Sequence, residues 1–255
     1  FTEQSSVFDA IDAENAMIGW VRRRVRRSVL RSIKAGDTLL ELNAGTGIDS
    51  LHFAERGIQV LATDVSEGMV TRLDAKRRTR PDLPLTVQRL SFLDLEQLGD
   101  RRFHHVFSNF GGLNCTDRLD LVMKGIDRVL LPGGTCTLVI MPRFSPWESF
   151  AFLKGDLRLA LRRWRKGPAP ANVEGVIFPC HYYTAGEVRR MLPSYAEVDR
   201  MSLSLAVPPP HHARFMERWP GWFRFLEGIE DAFCRRWPFR NWGDHFLISL
   251  RKPAA

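Results

Sequence analysis

The sequence predicts an α/β protein, a doubly wound, seven-stranded, mostly parallel sheet with helical cap insertions. Three observations predict it. Strand and helix signals alternate from residue 38 to 141. A glycine turn, Asn43-Ala44-Gly45-Thr46-Gly47, follows the first of those strands. Beyond residue 141 two stretches rich in arginine and aromatic residues interrupt the alternation.

Taken in order, residues 1–35 read as an N-terminal helical lid with Phe8, Met17 and Trp20 as its large apolar side chains. Ile18, Val21, Val25, Val29 and Ile33 recur at helical spacing, which puts Arg22, Arg23, Arg24, Arg26, Arg27 and Arg31 on an outer, solvated face. Residues 36–141 read as the core, with strands near 38–43, 59–63, 85–89, 104–108 and 135–141. Gly133-Gly134 reads as a turn leading into the fifth strand. Residues 142–180 read as a cap insertion, a loop and a basic helix with Phe150, Leu153, Leu157, Leu161 and Trp164 on one stripe, then a proline-rich turn at 167–171. The core resumes over 181–207 with a helix at 184–192 and a strand at 196–205. Pro208-Pro209-Pro210 opens a second helical insertion, 208–240, and 241–255 carries the closing strand, 244–251. The aromatic mass of the two insertions predicts an apolar chamber roofed over the carboxyl ends of the strands.

The chain has 255 residues, 44% of them hydrophobic, enough for one elaborated domain. It offers no run of about 18 apolar residues to span a bilayer and no signal peptide, so a soluble, cytoplasmic protein is expected. It starts at Phe1 rather than methionine, so the original N-terminus is expected upstream. Cys115, Cys136, Cys180 and Cys234 are far apart and form no C-x-x-C pair, which argues against zinc and for reduced thiols; no metal is expected. The net charge of +8 raises three partners, of which a solvated surface ranks first, an anionic membrane surface second and nucleic acid third.

Gly45 and Gly47 lack a Cβ, so the backbone there can take positive φ and approach a ligand while the next helix aims its N–H groups at the same place. The dinucleotide pattern G-x-G-x-x-G fails, because its third glycine position from Gly45 is Ser50. That disfavours a nicotinamide-dependent reductase. Glu41 at the end of the first strand and Asp64 at the end of the second suit a ligand with an ammonium and a ribose and no phosphate. Phe92-Leu93-Asp94 after the third strand can offer a carboxylate and an amide to an adenine edge.

Through Glu41 to Asp49, Asp64-Val65-Ser66 with Gly68-Met69, Leu93-Asp94 and Leu131-Pro132-Gly133-Gly134, the chain resembles the class I S-adenosylmethionine-dependent methyltransferases over roughly residues 36–142. The resemblance implies S-adenosylmethionine as cofactor and S-adenosylhomocysteine as product, and a seven-stranded sheet whose last strand is antiparallel and lies between strands five and six. It implies cofactor contacts at Glu41, Asn43, Ala44, Gly45, Gly47, Asp64, Val65, Met69, Leu93, Asp94 and Asn109. Asn43 replaces the usual first glycine, and asparagine tolerates the left-handed conformation.

Methyl transfer from a sulfonium needs positioning and, for a hydroxyl acceptor, a base. His181 in Pro179-Cys180-His181-Tyr182-Tyr183 is the candidate base, and Phe8, Trp20, Phe110, Arg143, Trp147, Tyr182 and Tyr183 are the candidate acceptor contacts. The loop 108–114 is not Asn-Pro-Pro-Tyr, and Pro179-Cys180 lies too far downstream to match a cytosine-C5 nucleophile. The expected activity is methyl transfer to an oxygen or nitrogen of a small, largely apolar metabolite, lipid-like, quinone or polyketide-type. The alternatives are an RNA or protein methyltransferase and a non-catalytic cofactor-binding protein.

Overall fold

The computed structural model describes residues 5–164, 167–173 and 176–254. Seven strands form one sheet: β1 (Thr38–Leu42), β2 (Gln59–Asp64), β3 (Leu85–Arg89), β4 (Phe103–Ser108), β5 (Leu130–Ile140), β8 (Ala196–Leu203) and β9 (His245–Arg251). Their order is β3-β2-β1-β4-β5-β9-β8. β1 pairs in parallel with both β2 and β4, whereas β9 runs antiparallel between β5 and β8. The antiparallel closing strand stands where the family resemblance implies it.

Central strands must be apolar on both faces, and these are. Leu39 and Leu40, Phe107 and Val106, Val139 and Leu138 point alternately to opposite sides. Leu40, Val106 and Leu138 join one core with Val122 and Ile126 of α5 (Leu119–Val129) and Val188 of α8 (Ala185–Met191). Leu39, Phe107 and Val139 join the other with Val25 and Val29 of α2 (Ala16–Val29) and Phe53 of α3 (Ile48–Ala54). Helices α1 (Ser5–Glu14) and α4 (Glu67–Thr79) complete the first half.

Several expectations are corrected. The Leu-Pro-Gly-Gly stretch lies inside β5, where the pairing with β4 shifts register between Phe103 and His105; the unpaired residues are absorbed as a bulge. The basic helix expected at 150–166 is broken into short turns, including α6 (Pro146–Ser149) and α7 (Leu157–Ala160), because Gly155 takes φ +79° and Asp156 caps a new start by accepting from Leu159 N–H at 2.9 Å. Arg165 and Lys166 of that block lie outside the described residues. The expected turn at 167–171 is instead the first strand of a hairpin, β6 (Ala169–Val173) with β7 (Val176–Cys180). The second insertion holds α9 (Phe215–Arg218) and α10 (Pro220–Phe233).

The arginines of α2 are not a solvated face either. Arg22 is buried, and Arg24 and Arg26 are half-buried against acidic partners; Arg23, Arg27 and Arg31 are the exposed ones. No helix among the described residues is long and apolar enough to cross a membrane.

Candidate functional site

The carboxyl ends of β1, β2 and β4 meet at the glycine turn. Asn43 takes φ +48°, the left-handed conformation its side chain tolerates, and that side chain is pinned. It accepts from Ser108 Oγ at 2.6 Å and donates to the Asn109 carbonyl at 3.1 Å. A Cβ on Gly112 would stand 2.3 Å from the Asn43 side chain, so the loop after β4 closes on the turn only because residue 112 is glycine. Gly45 (φ +58°) and Gly47 (φ +80°) complete the turn.

Asp64 ties the turn together from β2. Its carboxylate accepts from Gly45 N–H at 2.9 Å and Ser66 N–H at 2.8 Å, which uses two of its lone pairs and leaves others free to accept. Burial raises its pKa while those N–H bonds work the other way. Val65 beside it is exposed, and Met69, one turn into α4, is buried. After β3, Leu93 packs half-buried against the core. Asp94 begins a short 3-10 turn, Leu95–Leu98, without capping it through its side chain.

Beneath the turn lies a buried charge cluster. Glu41 accepts from Ser50 Oγ, and burial, followed by the neighbouring Asp49 carboxylate, pushes its pKa up to about 8. Burial would also raise Asp49, but Arg22 and Arg26 more than offset it and hold Asp49 below its ordinary value. Arg26 Nε donates to Asp49 at 2.6 Å, Arg22 pairs with the same carboxylate, and Asn109 Nδ2 donates to it at 2.9 Å. Arg22 also stands 4.7 Å over the Phe110 ring and 2.7 Å from Asp12.

The N-terminal segment lies against this turn. Asp9 accepts from the Thr46 hydroxyl and pairs with Lys76 at 2.7 Å, while Lys76 donates to the Thr46 carbonyl at 2.9 Å. Phe8, its neighbour on α1, is half-buried. Trp20 is a correction to the acceptor set. It is 3% exposed, donates its indole N–H to Glu227 at 2.7 Å and stacks edge-on with Phe223 of α10, so its surface is taken up in packing.

The loop after β4 is strained. Phe110 (φ +51°) and Gly111 (φ +66°) are both left-handed, and a bulky residue there is an outlier held by its surroundings. Asn114 holds the loop to the far side of the crevice: its Nδ2 donates to the Met141 and His181 carbonyls, and its Oδ1 accepts from Met141 N–H. Residues 117, 143, 163, 167 and 181–183 line a cavity of about 180 Å³. Arg143, His181, Tyr182 and Tyr183 are therefore brought together, although Arg143 is also paired with Glu187 at 2.7 Å. Trp147 packs on Phe150 and on His212 of the second insertion; neither its indole N–H nor the Ser145 hydroxyl has a hydrogen-bond partner among the described residues. A larger cavity, about 580 Å³, opens at the amino ends of the strands around Thr38, Gln59 and Phe103. It is the far end of the sheet from the glycine turn, and we assign it no part in the site.

His245 is the residue sequence reading passed over. It is 8% exposed, edge-on to Phe110 at 6.4 Å, and its Nδ1 is 3.0 Å from Asp244. Burial would raise Asp244, yet His245 and Arg163 hold it well below the carboxylate range. The Asp-His dipeptide was readable at the head of the last strand; the pairing of β9 with β5, which delivers it to the crevice, was not. The Cys180 thiol is buried and its pKa raised by that burial, the opposite of an activated nucleophile.

A test of whether these residues fit the cofactor implied by the turn rests on open space and donor chemistry. A Cβ placed on Gly45 would meet nothing within 4 Å, so the backbone there faces free volume that a side chain would fill. Asp64 bonds to the Gly45 N–H and Asp94 follows the parallel strand β3, carboxylates suited to a diol and an adenine amine, while Glu41 lies buried beneath the turn. The residues fit.

Residues 39–134 match the methyltransferase domain family. The chain is similar to the demethylmenaquinone methyltransferase of Streptomyces avermitilis, 33% identical over 157 residues, covering 58% of this chain and 64% of that one. It is 30% identical over 185 residues to the demethylmenaquinone methyltransferase of Mycobacterium sp. strain KMS, covering 69% and 75%. Against the Streptomyces protein it thus spans less than two thirds of the relative's length. An S-adenosylmethionine-dependent methyltransferase from Mesorhizobium loti shares the fold with a TM-score of 0.59 at 16% identity, over 92% of this chain and all of that one.

Proposed function

The chain belongs to the class I S-adenosylmethionine-dependent methyltransferases, and we propose on that premise that it transfers a methyl group to a small, largely apolar acceptor of the quinone class. The observation that carries the donor side is the Asp64–Gly45 closure of the glycine turn, with open volume over Gly45. The names of the relatives support the acceptor class. S-adenosylmethionine, when bound, supplies an electrophilic methyl on a sulfonium. The backbone of the turn at Gly45 and Gly47 would hold the amino-acid end, with the buried Glu41–Asp49 cluster supporting it from beneath, Asp64 the ribose, and Asp94 with Leu93 the adenine.

The chain's own work is to position the acceptor, exclude water and remove a proton where the acceptor atom carries one. Arg143, Tyr182 and Tyr183 line the cavity with His181 and are the proposed acceptor contacts, with Phe110 on the loop after β4. His181 lines the 180 Å³ cavity and is the proposed base. His245, backed by Asp244, is the second imidazole at that end of the sheet. If His181 is the base, His181→Ala lowers kcat and removes the acidic limb of its pH profile while His245→Asn keeps that limb; the reverse result transfers the role to His245.

Calorimetry with S-adenosylhomocysteine and NADPH tests the premise. Losing hydrogen bonds to a charged group costs about 1.5–3 kcal/mol, so Asp64→Ala weakens S-adenosylhomocysteine binding about 10- to 100-fold. NADPH binding in its place, or no binding by the parent, overturns the assignment. Demethylmenaquinone is the first acceptor to assay, with the methylated atom read by NMR. A peripheral contact with anionic membrane, expected from the charge, belongs to this reading as well.

A further inference from the structure

Fifteen large apolar side chains are exposed among the described residues, and they are not scattered: seven lie in 150–177 and five in 219–237, against three elsewhere. In the first insertion Phe152, Leu153 and Trp164 are 62, 77 and 65% exposed. In the second, Trp219, Trp222, Phe225 and Trp237 are 50, 60, 58 and 77% exposed. On α10 the buried residues are Phe223 and Glu230, facing the core. Trp222, Phe225, Ile229 and Phe233 fall beside that buried face, within about 80° of arc at 3.6 residues per turn.

A seam of aromatic rings links the two groups. Edge-on ring contacts run from Trp164 to Phe144 at 6.0 Å, to Trp242 at 5.0 Å, to Phe239 at 5.2 Å and to Phe233 at 5.4 Å. This seam joins the first insertion to the end of α10. Monomers in water rarely expose so many contiguous aromatic rings without a partner for them.

Charge points to the partner. Residues 142–180 carry seven basic and three acidic residues, and 208–240 carry six and four, so the two insertions hold six of the chain's eight net positive charges. Arg218 stands 5.8 Å from the Trp219 ring centroid and Arg236 5.7 Å from that of Phe233, with exposed Arg158, Arg214 and Arg224 on the same segments. Indole and phenyl rings bordered by arginines match the boundary of an anionic bilayer, where rings enter the acyl edge and guanidinium groups stay with the headgroup phosphates.

We propose that the exposed aromatic faces of 150–164 and α10, with their flanking arginines, form one peripheral docking surface for an anionic lipid membrane. Arg22 and Arg26 of α2 take no part, because both are paired with the buried Asp49. The proposal does not rest on the identity of the methyl acceptor, since its test reads partition and not turnover.

The test is co-sedimentation of the full chain with vesicles of phosphatidylcholine alone and of three parts phosphatidylcholine to one part phosphatidylglycerol. Partition is expected into the mixed vesicles, weakening as salt is raised. The pairs Trp222→Ser with Phe225→Ser, and Phe152→Ser with Leu153→Ser, each lower it about tenfold. These side chains are exposed, so thermal unfolding and S-adenosylhomocysteine affinity stay at parental values and show that the variants are folded. Arg218→Gln with Arg224→Gln reduces the preference for the anionic vesicles. Absence of partition by the parent, equal partition into both vesicles, or partition undiminished in the folded aromatic variants overturns the proposal. So does a dimer in sedimentation that the same pairs disperse while no lipid is bound, which would make the partner a second copy.

Discussion

At the residue scale, the site is a set of side chains whose charge states are set by burial. Glu41 has no exposed surface to speak of, at 2%, and its folded pKa of about 8 stands above the ordinary 4.5. A raised acid favours the protonated folded form. Its stabilising contribution is complete below the unfolded value and is lost as pH rises through about 8. Unfolding free energies from urea titrations between pH 5 and 8 should therefore fall with pH in the parent, by at most about 1.4 kcal/mol per pH unit from this group. Glu41→Gln, neutral throughout, should flatten that slope; equal slopes would show that Glu41 is ionised in the fold and that the charge cluster is differently shared. The acids of the turn could be read from the order of residues. Their linkage to Arg22 and Arg26 could not, because α2 reaches Asp49 across more than twenty positions of chain and helical spacing alone places those arginines in water.

At the element scale, α1 matters because it is fastened to the glycine turn by a few polar contacts. Asp9 meets Thr46 and Lys76, and Asp12 meets Arg22. A segment held this way can act as a lid over the cofactor, opening when those contacts are lost. Asp9→Ala should raise the S-adenosylhomocysteine dissociation rate several-fold, by the ~1 kcal/mol a partly exposed pair supplies, with little change in the association rate. Stopped-flow dissociation measures it, and an unaltered rate would leave α1 a packing element only. The sheet elements were legible because central strands are continuous apolar runs and the helices carry 3.6-residue stripes. The basic helix of the first insertion was misread for a local reason: an apolar stripe persists across Gly155 and Asp156, but the left-handed glycine and the cap at Asp156 stop one turn and start another. The β6–β7 hairpin was hidden by Pro168 and Pro170, which read as turn formers and are tolerated here in an isolated two-stranded ladder.

At the scale of the whole molecule, the second insertion is not a detachable cap. Phe223 and Cys234 belong to the core on the α2 side, and Glu230, fully buried, accepts from the backbone N–H groups of Leu205, Ala206 and Val207 at 2.7–3.1 Å. Glu230→Ala would strand those donors away from water, and at about 1–3 kcal/mol for each unsatisfied group the loss should be on the order of 3 kcal/mol or more. Denaturant unfolding measures it, and a loss below about 1 kcal/mol would mean the connection relaxes and the insertion is only loosely joined. The same packing fixes where the insertions leave aromatic surface outside. By itself the sequence determined the layered sheet and the cofactor turn, because periodicity, glycine and a carboxylate at a strand end are local properties that dictate local geometry. Only the tertiary structure decided that Arg22 and Arg26 turn inward to Asp49, that Trp20 is core, that His245 arrives beside Phe110, and that the aromatic insertions remain half outside. Each of those depends on which distant element comes to lie alongside, and burial and charge pairing across such contacts are settled only when the chain has folded.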